Sequence, residues 1–219
     1  MILVNFKLYP ETFDDGAVRL AKIVKDIGDK YKIRTVIAVS ALDALRIVKE
    51  TGVEVWLQNV DQYQNGKHSG WVSSLQAINL GIKGSLLNHS EHQSPKGTVL
   101  KILKNKPDGF KIICCVKSLK QAEKWVIKAK PDYILFEPPE LIGSLNKSIA
   151  TEKPQSIQKM AKLCLEIPLI VGAGVKNRKD VKISLKMGAK AVGLSSAFVL
   201  SNNPKEVLED IAQGFNAII

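Results

Sequence analysis

The polar residues of this chain that could do chemistry stand directly behind apolar runs. Asn5 and Lys7 close ILVNFK, and Asn88, His89, Ser90 and Glu91 follow GSLL. Glu137 closes DYILFE, Gly172 and Gly174 follow PLIV, and Ser195 and Ser196 follow AVGL. Imidazole, carboxylate and ammonium groups are the ones that acid–base chemistry draws on. Glycines and small residues at a turn leave backbone N–H groups free to receive an anion. Singly, each residue could be ordinary: a strand lysine, a structural histidine, a tight strand-to-helix turn. Glu137 is the hardest to dismiss, because a carboxylate behind four apolar residues is costly to bury without a purpose or a partner. Whether these residues form a site depends on the elements that carry them.

Those elements alternate without a break. Residues 2–7, 34–39, 53–58, 84–88, 110–116, 133–137, 169–172 and 191–194 read as strands. Several (TVIAV, KIICCV, DYILF, PLIV) are almost continuously apolar, as suits strands of a parallel sheet covered on both faces. Between them lie stretches of helical period. Examples are Ala17, Leu20, Ala21, Val24 and Ile27, then Ala122, Trp125, Val126 and Ala129. Helix starts are expected at Ser94 with Pro95, at Ser118 ahead of LKQAEKW, and at Asn177 ahead of RKDVKISL. Roughly eight β–α units predict a (β/α)₈ barrel forming a single domain over residues 1–219. A doubly wound open sheet is the alternative, but NFKLYPETFDD after the first strand holds neither GxGxxG nor a Walker sequence. In a barrel the active site lies at the C-terminal strand ends, where all the polar residues above are found.

Composition narrows the class. With 45% hydrophobic and 24% charged residues, the 219-residue chain reads as ordinary globular protein rather than disordered. No apolar run approaches the roughly 18 residues of a membrane span, and MILVNFKLYP lacks the marks of a secretory signal. A cytoplasmic protein with no membrane partner is expected. Cys114, Cys115 and Cys164 are too few and scattered for a disulfide framework or a zinc site, so no metal and no cofactor are expected. Adjacent on one strand, Cys114 and Cys115 should point to opposite faces and act as packing residues. The net charge of +11 comes from lysines spread along the chain. It implies a solvated basic surface and no nucleic-acid partner, and it is compatible with a phosphate-bearing substrate.

In its motifs the chain resembles the triosephosphate isomerases, in the short form found in archaea. NFK resembles the family's Asn-x-Lys after the first strand, LLNHSE its His-Ser-Glu after the fourth, and FEPPELIG its glutamate-and-lid segment after the sixth. VGAGV and GLSSAF resemble its two phosphate loops, and LQNVDQYQNGKHSGW its third, intersubunit loop. The resemblance implies a triose phosphate substrate interconverted between ketose and aldose through an enediol(ate), in glycolysis and gluconeogenesis. It makes Glu137 the base, His89 the electrophile, Lys7 the fixed positive charge and Asn5 a hydrogen-bond donor near the enediolate. It implies a neutral His89 with a pKa lowered by a helix N-terminus, for which this family is the standard illustration. Glu91 would position Lys7, Ser90 would support the base, and backbone N–H groups of Gly143, Gly174, Ser195 and Ser196 would hold the phosphate. Of the cations, only Lys7 is expected to touch it.

Some positions depart from the family pattern. The lid, usually Gly-Thr-Gly, reads Gly143, Ser144, Leu145, so its closed shape is open to question if the last glycine needs a positive φ. NKSIATEKP behind it differs from the usual hinge, with room for an extra residue. In the third loop, Ser69 and Trp71 replace a threonine and a polar residue, and an exposed tryptophan there suits a subunit contact. A homo-oligomer is expected, either a homodimer or a tetramer, with helices around strands four to six trimmed. Two rival readings stand: another phosphate-binding (β/α)₈ isomerase or lyase, and a non-catalytic basic binding protein.

Overall fold

The structure is a computed structural model that describes residues 1–144 and 146–216. Leu145, on which the question of the closed lid turns, lies outside the described residues. Eight parallel strands close into one barrel in sequence order. They are β1 (Ile2–Asn5), β2 (Thr35–Val39), β3 (Glu54–Leu57), β4 (Gly84–Leu87), β5 (Lys111–Val116), β6 (Tyr133–Phe136), β7 (Leu169–Val171) and β8 (Ala191–Leu194). The ring is completed by β1 and β8, with Leu3 opposite Gly193 and Val4 opposite Leu194. All eight expected strands are present, most of them trimmed by a residue or two at their ends. The polar tips, Lys7, Asn88 and Glu137 among them, have left the ladder.

The apolar runs divide by alternation into two cores. Leu3, Val36, Ala38, Trp56, Leu86, Ile113, Cys115, Leu135, Ile170 and Ala191 fill the barrel. Their strand neighbours, such as Val4, Ile37, Cys114, Ile134 and Val171, face outward into the layer shared with the helices. Cys114 and Cys115 therefore lie on opposite faces, as expected, and both are buried free thiols. At the foot of the barrel, Arg34 donates to both Glu54 oxygens (2.9 and 2.7 Å) and to the Tyr133 hydroxyl (2.8 Å). Trp56 donates its indole N–H to Glu54 at 2.8 Å. This network satisfies the polar groups at the closed end and leaves the other end for the site.

The longest helix, α1 (Asp14–Tyr31), buries Ala17, Leu20, Ala21, Val24 and Ile27, the stripe that its period predicts. Ser118 and Asn177 cap the helices that follow them, accepting from the N–H groups of Gln121 and Asp180. At Ser94 the reading needs correction. The helix there spans Lys96–Asn105, with Pro95 itself as the cap residue and no side-chain cap. The proline ring holds φ at −54°, but a ψ of 141° keeps Pro95 outside the helix, so the first turn begins one residue later than expected. Behind β5 the helix is irregular. One α-turn (Leu119–Gln121) passes into a π-helical turn (Ala122–Val126) and a 3-10 turn (Ile127–Ala129), ending at left-handed Lys130. Among the described residues, no helix is long and apolar enough to cross a membrane.

Candidate active site

Strand ends one, four, six, seven and eight meet around one cavity of about 350 Å³. Asn5, Lys7, His89, Glu137, Gly143, Gly174, Ser195 and Ser196 all line it. Ser90 and Glu91 do not. Glu91 stands behind Lys7, and Ser90 shares a small separate crevice with Glu137. No hydrogen bond joins Ser90 to Glu137 among the described residues, although the two share that crevice.

Lys7 sits in left-handed backbone, with φ of 53°. For a lysine that conformation costs on the order of 1–3 kcal/mol and needs surrounding groups to hold it. Here the Asn5 side-chain oxygen accepts the Lys7 N–H at 3.1 Å, and Gln58 donates to the Lys7 carbonyl at 2.8 Å. Gln58 also reaches the Asn5 side-chain oxygen at 3.4 Å. The Lys7 ammonium meets Glu91 at 2.5 Å, and its side chain is only 16% exposed. Sequence reasoning missed Gln58, although it is the polar residue ending β3's apolar run and so carries the same signal as Lys7 and Glu137.

The imidazole of His89 is held in one tautomer. The backbone N–H of Glu91 donates to Nδ1 at 3.2 Å, so in the neutral ring the proton resides on Nε2. Nε2 lies 3.2 Å from Oε2 of Glu137. The N–H is not directed along that line, and among the described residues Oε2 is buried without a hydrogen-bond donor. A buried carboxylate oxygen in that condition is uncommon, and a catalytic role is one reason for a protein to keep it so. Gly172 makes the arrangement possible. A Cβ there would fall 2.2 Å from Oε1 of Glu137, so any side chain would expel the carboxylate.

The expected lowering of the His89 pKa is not found. Desolvation, the largest influence, does lower it, but the carboxylates of Glu137 and Glu91 outweigh burial and the net shift is upward. The physical reason is visible in the chain. His89 opens a tight turn, in which the N–H of His92 bonds its carbonyl at 2.9 Å. From that turn the imidazole Nε2 stands 3.2 Å from the Glu137 carboxylate, which favours the charged ring.

Opposite these groups lie the turns behind β7 and β8. Gly174 is left-handed, with φ of 74°. A Cβ on it would strike the Lys147 carbonyl at 2.3 Å. Among the described residues the hydroxyl of Ser195 is buried without a partner, and Ser196 opens a one-turn helix (Ser196–Val199) whose first N–H groups are unpaired by helix geometry. Ser144 of the lid lines the cavity, as do Lys176 and Ser201, neither of which sequence reasoning singled out. Lys176 closes VGAGVK behind the same strand as Gly174, so its place after that strand is the signal that could have found it.

Replacing Glu137 by Gln removes the main cause that raises the His89 pKa and leaves desolvation opposed chiefly by Glu91. The His89 pKa, followed by NMR titration of the imidazole nitrogens, should therefore fall below the wild-type value. An unchanged or higher pKa in Glu137→Gln would show that the two side chains are not electrostatically paired.

The comparisons with known proteins agree with this geometry. The family model described as triosephosphate isomerase matches residues 1–213. The triosephosphate isomerase of Thermoplasma volcanium is 34% identical over 213 residues, covering 96% of this chain and 98% of its own length. That of Saccharolobus solfataricus is 33% identical, covering 96% and 93%. That of Metallosphaera sedula is also 33% identical, covering 98% and 95%. With the barrel closed in sequence order and the polar strand ends gathered round one cavity, the chain belongs to the triosephosphate isomerase family.

Proposed function

We propose that this chain interconverts dihydroxyacetone phosphate and D-glyceraldehyde 3-phosphate, with Glu137 as the proton carrier. The observation that carries the reading is the buried Glu137 oxygen without a directed donor, 3.2 Å from the one imidazole nitrogen able to donate. Glu137 takes a proton from the hydroxyl-bearing carbon beside the carbonyl, leaving an enediol(ate), and then returns it to the former carbonyl carbon, while a proton passes between the two substrate oxygens. His89, its Nδ1 occupied by the Glu91 N–H, offers its Nε2 proton to the substrate oxygens as negative charge develops on them. Lys7, fixed by strain-bearing backbone and by Glu91, supplies preorganised positive charge, and Asn5 holds that backbone in place. The phosphate rests on N–H groups of Gly174, Ser195 and Ser196, with Gly143 joining them as the segment after Glu137 closes. No step calls on a cofactor or a metal.

The reading extends to assembly and place. The loop 58–73 carries a ladder of rings: Tyr63 stacks on His68 at 3.9 Å between centroids and meets the edge of Trp71 at 5.1 Å. Asp61 ties the base of the loop by accepting the Val72 N–H at 2.8 Å. Trp71 is nevertheless 51% exposed. Beside Asn5 and Lys7 lies a second open pocket of about 440 Å³, with Leu8 at its rim. A homo-oligomer in which this loop enters that pocket of a neighbour would cover both apolar surfaces and shield Lys7. Three buried free thiols suit a cytoplasmic protein.

Glu137→Asp keeps the carboxylate but withdraws it by about one methylene, and a misplacement of about 1 Å can cost on the order of 10²-fold. A coupled assay should show turnover falling by about that factor with KM changed far less. Wild-type turnover in this variant would remove Glu137 as the proton carrier. Replacing residues 63–68 by a brief Gly-rich turn should give a folded monomer with greatly reduced turnover. Size-exclusion chromatography with the same assay decides. A shortened chain that stays oligomeric, or a fully active monomer, would contradict a link between this loop and catalysis.

A further inference from the structure

Lys176 lies on the cavity wall beside Gly174, and the mechanism above gives it no part. Its ammonium donates to two backbone carbonyls: that of Lys147 at 2.9 Å and that of Gly174 at 3.2 Å. Lys147 stands at the far end of the segment that follows Glu137, one residue before the helix cap Ser148. The same junction is stitched elsewhere. Ile149 N–H bonds the Ala173 carbonyl at 3.0 Å. Ser148 donates its hydroxyl to the buried Asp180 at 2.7 Å, and the other Asp180 oxygen accepts the Lys176 N–H at 3.0 Å. The ammonium is therefore positioned from both sides of the junction.

Its charge is not spent on a carboxylate. Among the described residues Lys176 forms no ion pair, whereas the Lys7 ammonium is shared with Glu91. Two carbonyl oxygens orient an ammonium without neutralising it, and one of its three donors remains unused by them. A cation so held beside a turn already suited to an anion needs little reorganisation when the anion arrives. Resting on the proposed reaction, we infer that Lys176 is a second positive charge of the phosphate subsite. It is a positioning residue that also joins the hinge of the closing segment to the phosphate loop. This departs from the expectation that Lys7 alone among the cations serves the phosphate.

Three substitutions separate charge from hinge contact. Lys176→Arg keeps the charge, Lys176→Gln keeps a neutral donor for the carbonyls, and Lys176→Met keeps neither. Thermal unfolding should be similar for all, since the side chain is half-buried and outside both cores. Calorimetry with inorganic phosphate and with phosphoglycolate should show affinity weakened about tenfold in both the Gln and Met variants and largely restored in the Arg variant. The deficit should shrink as salt is raised. In the coupled assay KM should rise by a similar factor while kcat changes much less. Wild-type phosphate affinity in the Met variant would overturn the proposal. So would a loss confined to Met and absent from Gln, because Lys176 would then be a hinge contact only. If the wild-type chain bound phosphate yet did not turn over triose phosphates, the proposed reaction would fail while the phosphate arm still judged Lys176.

Discussion

The pairing of β1 with β8 is the constraint on which the rest of this protein depends. The site draws Asn5 and Lys7 from one end of the chain and Ser195 and Ser196 from the other, and only closure makes them neighbours. Closure also removes both sheet edges, so every strand is covered inside and out and can be apolar along most of its length. Polar side chains are then displaced to the strand tips. The foot is sealed by the Arg34, Glu54, Trp56 and Tyr133 network, which leaves the C-terminal tips as the open, functional end.

At that end, Glu91 couples two groups that the strands alone would leave independent. Its carboxylate holds Lys7 at 2.5 Å and its backbone N–H holds Nδ1 of His89 at 3.2 Å. One turn thus aims an ammonium from β1 and an imidazole from β4 into the same cavity. Departures from relaxed structure are concentrated here: the left-handed backbone of Lys7 and of Asn88, and, among the described residues, the unpartnered Glu137 Oε2 and Ser195 hydroxyl. Strain and unmet hydrogen-bonding capacity at a site cost stability that the two apolar cores must supply.

The barrel is legible in the sequence because its strands are rich in apolar residues and regular in spacing. The Cys114–Cys115 pair even reports the inside–outside alternation correctly. Lys7, His89 and Glu137 are legible for a related reason, since packing alone seldom puts a charged or titratable residue directly behind an apolar run. What stays hidden depends on contacts between distant segments. Gln58 and Lys176 also follow strands, but an amide and one more lysine in a lysine-rich chain carry little signal alone. The direction of the His89 shift turns on Glu137 approaching to 3.2 Å from the end of a distant strand. The π-helical turn behind β5 is hidden because Ala122, Trp125, Val126 and Ala129 fit a regular helix equally well.

The central claim is that Glu137 carries the transferred proton. Incubating the wild-type protein with dihydroxyacetone phosphate in D₂O and following the carbon-bound hydrogens by NMR tests it most directly. A proton held on a carboxylate exchanges with solvent, so deuterium should enter the substrate carbons during turnover. In Glu137→Gln both isomerisation and deuterium entry should be lost while phosphoglycolate still binds. Deuterium entering the substrate at the wild-type rate in Glu137→Gln would contradict the account.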